Sequence, residues 1–189
     1  QGAILLIKNM FDAWQNGIDW SNFLGMLAGA ALLAAGLALA FGKIGAAIGI
    51  IAAGIGLLVT GIHDAIENGW NLQNLLTTIA GMIMSGLGIS VLVGSWIPLI
   101  IAGIASALLA LAVATGHGEE LIDGFKNIVS GFKDFFVGIF TGDISKSIEG
   151  LGAVFGGVEK VVDALIEGLR DSILSFLSWV DEKTGFQFT

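Results

Sequence analysis

Residues 68–116 read NGWNLQNLLTTIAGMIMSGLGISVLVGSWIPLIIAGIASALLALAVATG, forty-nine positions without one Asp, Glu, Lys or Arg. Two further uncharged runs, 21–42 and 44–62, lie before it. A helix on a water-soluble domain keeps a polar face, and these stretches have almost none. They divide at glycines into apolar segments 23–41, 44–62, 72–93 and 97–114, with Pro98 in the first turn of the last. A missing N–H costs little at that place. Each segment is about 20 residues, or roughly 30 Å of helix, the hydrocarbon thickness of a bilayer. The reading is an all-α protein: apolar helical hairpins with about four membrane-length helices, followed by amphipathic helices.

The composition agrees. Of 189 residues, 55% are hydrophobic and only 13% charged, about half the charged share of a soluble domain. Mean hydropathy is +0.89. The 29 glycines would weaken helices in water, but in lipid small residues let helix backbones approach closely. Net charge is −8, which argues against nucleic-acid binding and against a cationic lytic peptide. The acidity is concentrated: residues 119–189 hold twelve acids and six bases, the first 118 only four and two. With no cysteine, disulfides and thiolate metal sites are excluded. The expected divisions are an amphipathic lead-in (1–22), an apolar hairpin region (23–116) and an amphipathic C-terminal region (117–189).

An internal repeat runs through the first two divisions. A shift of 52 lays Asp12 on Asp64, Ala13 on Ala65, Asn16 on Asn68 and Gly17 on Gly69. It also lays Asn22 on Asn74, Gly29 on Gly81 and Gly42 on Gly94. The unit is a lead-in, an Asn-Gly turn and an apolar hairpin, either duplicated or a coincidence of low-complexity sequence. Ser21 or Asn22 is the expected N-cap of the first apolar helix. Small residues at four-residue spacing, Gly25 with Gly29, Gly45 with Gly49, Gly81 with Ser85 and Gly103 with Ala107, are expected to mark helix contacts. Trp20, Trp70 and Trp96 stand near segment ends, where interfacial anchoring is expected.

Beyond Gly116 the pattern changes. Leu121, Phe125, Ile128, Phe132, Phe135 and Ile139 step by four and three, a heptad seam that a partner helix, a sister subunit or a membrane surface must cover. It is expected to serve as an oligomer seam, with helices packed as an oligomer or a folded hairpin. After the Thr141-Gly142-Asp143 break the rhythm resumes at Ile144, Ile148, Leu151, Phe155, Val158, Val162, Leu165 and Leu169. Gly185 is the expected stop.

No catalytic constellation emerges, and an enzyme is not expected. His63 and Glu67, four apart with Asp64 adjacent, could offer two metal ligands, but a site needs three or four. They read as a polar helix end, and His117 with Glu119 and Glu120 as an interfacial cap. No cofactor or metal is expected, and no ionisable residue lies within the apolar segments to serve as a proton relay.

Three stretches carry a family resemblance: GIHDAIENGWNLQNLLTTIAGMIMSGLGI, WIPLIIAGIASALLALAVATGHGEELIDGFKNI and GLGAVFGGVEKVVDALIEGLRDSI. They resemble the hydrophobic and C-terminal regions of phage tail tape measure proteins, in repeated apolar hairpins, Asn-Gly turns and a Gly/Phe-rich amphipathic tail. The resemblance implies a structural virion component, stored in the tail as a homo-oligomer such as a trimer, with tail tube and tail tip proteins as partners. On infection it would leave the tail, insert into the host inner membrane and help genome passage. It implies no catalytic residue and no sequence-specific nucleic-acid binding. The chain would be a fragment of such a protein, without the family's long polar coiled coil. The alternatives are an integral membrane subunit of holin or small-channel type, and a pore-forming toxin.

Overall fold

The computed structural model describes residues 1–184, and every positive φ in them belongs to a glycine that ends or breaks a helix. The helices are α1 (Gly2–Asn16), α2 (Trp20–Asn68), α3 (Leu72–Val93), α4 (Ile97–Ala114), α5 (Gly118–Thr141) and α6 (Ile144–Thr184). No strand occurs among the described residues. The expected stop at Gly185 lies outside them.

Three helices among the described residues, α2, α3 and α4, are long and apolar enough to cross a membrane. That is one fewer than the expected four, and Gly42 is the reason. Residues 23–41 and 44–62 fall within the single element α2, separated by one non-helical residue at φ 63°, ψ −147°. That conformation is open essentially to glycine alone. The chain folds back there. A Cβ on Gly49 would come within 2.8 Å of the Ala34 Cα, although fifteen residues of straight helix span about 22 Å.

The chain divides into two compact units, Gln1–Ala107 and Leu108–Thr189, with the boundary inside α4. In the first unit, α1 lies along both arms of α2. Gly29 meets the Leu6 backbone, and Gly56 meets the Met10 side chain. Leu6, Ala13, Phe23, Met26, Ala53 and Leu57 form the core at this crossing. The second arm of α2 then packs antiparallel on α3 through glycines on both sides. A Cβ on Gly81 would lie 2.4 Å from the Leu58 nitrogen, and one on Gly54 2.6 Å from the Ser85 nitrogen. Helix α3 turns at Gly94 in the left-handed conformation. The first part of α4 returns along it, with Ala102 against Gly86 and the Ser90 hydroxyl accepting from the Leu99 N–H at 3.0 Å. Lys43 shares a shallow hollow with Ser90, Gly94, Ser95 and Trp96, so the turns at Gly42 and Gly94 lie at the same end.

In the second unit, α5 and α6 form an antiparallel hairpin. Its seam is a line of glycines at seven-residue spacing on α5. Gly124 meets Gly157, Gly131 meets Gly150 and Val154, and Gly138 meets Ser147. The last part of α4 rests on α6, with Gly168 directly against Ala112.

Candidate functional site

Two features stand out: a duplicated polar turn that ties the apolar helices together at one end, and the apolar surface those helices leave uncovered.

The turn is built twice from equivalent positions, with Asp in one copy and Asn in the other at the cap. In the first copy Asp19 is the N-cap of α2: its carboxylate accepts from the Asn22 N–H, and the Asn22 side chain accepts from the Asp19 N–H. In the second copy Asn71 and Asn74 make the same reciprocal pair at the start of α3. This is a capping box, which satisfies two otherwise unpaired N–H groups. It moves the cap of α2 from the expected Ser21 or Asn22 to Asp19, with Asn22, the third residue of the helix, as its partner. Both copies then close on the preceding glycine. Asn22 Nδ2 donates to the Gly17 carbonyl at 3.0 Å, and Asn74 Nδ2 to the Gly69 carbonyl at 2.8 Å. The two glycines have nearly the same backbone angles, φ 83°, ψ 168° and φ 75°, ψ 169°. Upstream, Asn16 donates to Asp12 at 2.9 Å and Asn68 to Asp64 at 2.8 Å. The 52-residue repeat is thus a repeat of hydrogen bonds as well as of letters.

The copies differ in burial. Asp12 is exposed, whereas Asp64 is only 4% exposed. Donors from four places converge on Asp64: Asn68 at 2.8 Å and the Ile18 N–H at 3.3 Å on Oδ1, Asn74 at 3.0 Å and Asn71 at 3.5 Å on Oδ2. The Ile18 bond joins the first turn to the second. Trp14 supports the same end from α1, stacking on His63 with ring centres 5.1 Å apart and donating to the Thr60 hydroxyl at 3.2 Å. A buried carboxylate is costly unless its lone pairs are filled; here amides fill them. Among the described residues no group of three or more His, Asp or Glu is placed to hold a metal. The His63, Asp64 and Glu67 cluster divides accordingly: Asp64 turns inward to the amides and His63 to Trp14.

Away from this node the exposed surface of α2 and of the first part of α4 is largely apolar. Leu39 is 91% exposed, and Phe41, Ile44, Ile97, Ile100, Ile101 and Ile104 are each exposed by more than half. At about 25 cal/mol per Å² and roughly 100 Å² each, every such side chain costs about 2–3 kcal/mol in water. Lipid removes that cost.

The residues singled out from sequence fall as follows. Trp20 is about half exposed, Trp70 partly buried, and both adjoin the polar turns; Trp96 is exposed at the opposite end, beside Gly94. Gly25, Gly29, Gly45, Gly49 and Gly81 all stand where a Cβ would strike a neighbour, whereas Gly103 faces open space. Of the heptad residues on α5, Leu121 is fully buried, Phe125, Ile128 and Phe135 are partly buried, and Phe132 and Ile139 are about half exposed. The closest contact of the α5–α6 hairpin runs through Gly124, Gly131 and Gly138 instead. Their seven-residue spacing was legible in the sequence, as was the Asp-x-x-Asn and Asn-x-x-Asn pattern of the two caps.

A second polar cluster lies in the second unit. His117, at the cap of α5, pairs with Asp171 at 3.0 Å and Glu167 at 3.5 Å, both on α6. The hydrogen bond to Asp171 raises the imidazole pKa above its ordinary 6.5. Desolvation opposes the rise, and the charges of Asp171, Glu120 and Glu167 add to it. Comparison with protein-family models, curated proteins and solved structures finds no match to this chain.

Proposed function

We propose that this chain is a membrane-inserting structural segment of the phage tail tape measure type, held in the virion tail and released into the host inner membrane to help genome passage. The observation that carries the reading is the uncovered apolar surface of α2 and α4 on helices of membrane length. Two compact turns, at Gly42 and Gly94, share one end, and among the described residues Lys43 is the one charge lining the hollow between them. A hairpin tip with so little charge crosses a bilayer at low cost. The polar node at the other end keeps the hairpins together as they enter. Before release, a homo-oligomer within the tail tube and tip would hide the apolar faces.

The test is reconstitution. Purified chain should require detergent, partition into phosphatidylcholine vesicles on dilution and release an entrapped dye. A monodisperse, detergent-free monomer that leaves vesicles intact would remove the basis for the proposal. Leakage by chain added from outside, without an insertion machinery, separates a released tail segment from an ordinary membrane subunit.

A further inference from the structure

The α5–α6 hairpin has one charged side and one apolar side. Lys146 and Asp134 lie 3.8 Å apart across it. Glu120 and Asp123 of α5 share a shallow cleft with Lys160, Asp163 and Glu167 of α6. The charged faces of both helices therefore lie on one side of the glycine seam. Opposite them on α6 stand Ile148, Phe155, Val162, Leu169 and Phe176, at an unbroken seven-residue step and between 39% and 70% exposed. Ile144, Leu151 and Val158 occupy the alternating positions and are also exposed. On α5, Val129, Phe132, Phe136 and Ile139 continue the same apolar side. Steps of four and three are the a and d positions of a coiled coil. The hairpin is closed through its glycines, which leaves this seam of large side chains facing outward.

We propose that the seam is the docking surface for a second copy of this chain, hairpin against hairpin. Area favours that occupant. The exposed side chains present on the order of 1,000 Å² of apolar surface, more than the 300–600 Å² of a typical monomer's largest patch. One partner in a stable interface contributes about 800 Å². Spacing favours it too. A strict seven-residue step drifts by about 20° per heptad on a straight helix, which a partner helix follows by supercoiling and a flat lipid surface does not. Charge points the same way. The twelve acids of residues 119–189 lie off the a and d positions, so anionic headgroups would repel the hairpin. Two copies paired through their apolar sides keep their acidic sides outward.

The pairing does not depend on the membrane reading, and the chain's lack of cysteine makes the test clean. Single cysteines are placed on the seam of the full chain (Ile148→Cys, Phe155→Cys, Val162→Cys, Leu169→Cys) and on the charged side (Lys160→Cys). Each is oxidised in phosphatidylcholine vesicles, or in detergent-free solution if the chain stays out of vesicles. One or more seam cysteines should cross-link to a dimer, and Lys160→Cys should not. Adding Phe155→Asp and Val158→Asp to the Val162→Cys or Leu169→Cys chain should weaken dimerisation by about 100-fold or more, as expected when charges replace hydrophobic anchors. Both positions face away from the glycine seam, and unchanged circular dichroism confirms an intact hairpin. Seam cysteines that never cross-link would overturn the proposal, whether they react freely with aqueous maleimide or are shielded and quenched by brominated lipid.

Discussion

Asn74 joins Asp64 to the Gly69 carbonyl through a single amide nitrogen, at 3.0 Å and 2.8 Å. Its oxygen accepts from the Asn71 N–H, so a side chain with no exposed surface has its amide nitrogen and oxygen both engaged. Asn74→Ala should destabilise the first unit by about 2–4 kcal/mol, because it leaves a buried carboxylate oxygen with only the long 3.5 Å bond from Asn71 and strands a carbonyl and an N–H. Asn22→Ala removes the equivalent side-chain half of the box without touching a carboxylate and should cost about 1 kcal/mol. Denaturation in mild detergent, followed by Trp fluorescence, measures both. Equal losses would mean that Asp64 does not depend on Asn74.

Gly42 should act as the hinge of α2. Its backbone angles exclude side chains at a cost of about 1–3 kcal/mol, so Gly42→Ala is expected to favour a straighter helix. Spin labels at Ala34 and Gly36, read against one at Ile48, should move apart from the close approach that Ala34 and Gly49 now make. Distances that stay short would show that packing against α1 alone holds the fold-back.

The glycines fall into two sets with opposite expected responses. Gly54→Ala and Gly81→Ala put a methyl group into neighbouring backbone and should cost about 1–3 kcal/mol each through overpacking. A Cβ on Gly103 would meet nothing within 4 Å. Gly103→Ala should be neutral or stabilising by about 0.4–1 kcal/mol, since it restricts the unfolded chain. Thermal unfolding of the variants side by side gives the ranking.

The His117 cluster should make the second unit's stability depend on pH. The folded pKa is raised by the Asp171 hydrogen bond, against desolvation. The stabilisation is therefore fully present below the unfolded value of about 6.5 and is lost as pH rises through the higher folded value. His117→Gln and Asp171→Asn should each flatten that dependence above pH 6. The imidazole resonance in NMR should titrate with a midpoint above 6.5 in the native chain and shift downward in Asp171→Asn.

Much of the architecture is a local property and could be read without coordinates. Apolar run length marked residues 72–93 and 97–114 as helices, and α3 and α4 have those bounds. Gly17, Gly42, Gly69, Gly94 and Gly142 were visible as breaks, and each has a positive φ. The tightness of the Gly42 turn was not visible: a single non-helical residue separates the two arms of α2. A hairpin made by one glycine leaves helical neighbours on both sides and no polar loop to announce it.

The sequence by itself determined where helices start, stop and show apolar faces, because those features depend on residues within a few positions of one another. It also held the repeat that pairs Asp12 with Asp64. Only the tertiary structure decided that Asp64 is buried under four neutral donors while Asp12 stays in solvent. The two carboxylates share a local pattern, and only one has the other copy's turn packed over it. The same holds for α5 and α6. Heptads of large residues and of glycines coexist on each helix, and their closest approach runs through the glycines. Backbone can come nearer to backbone where no side chain intervenes, and large side chains such as Phe132, Ile148, Phe155 and Phe176 are left facing outward while Leu121 is buried.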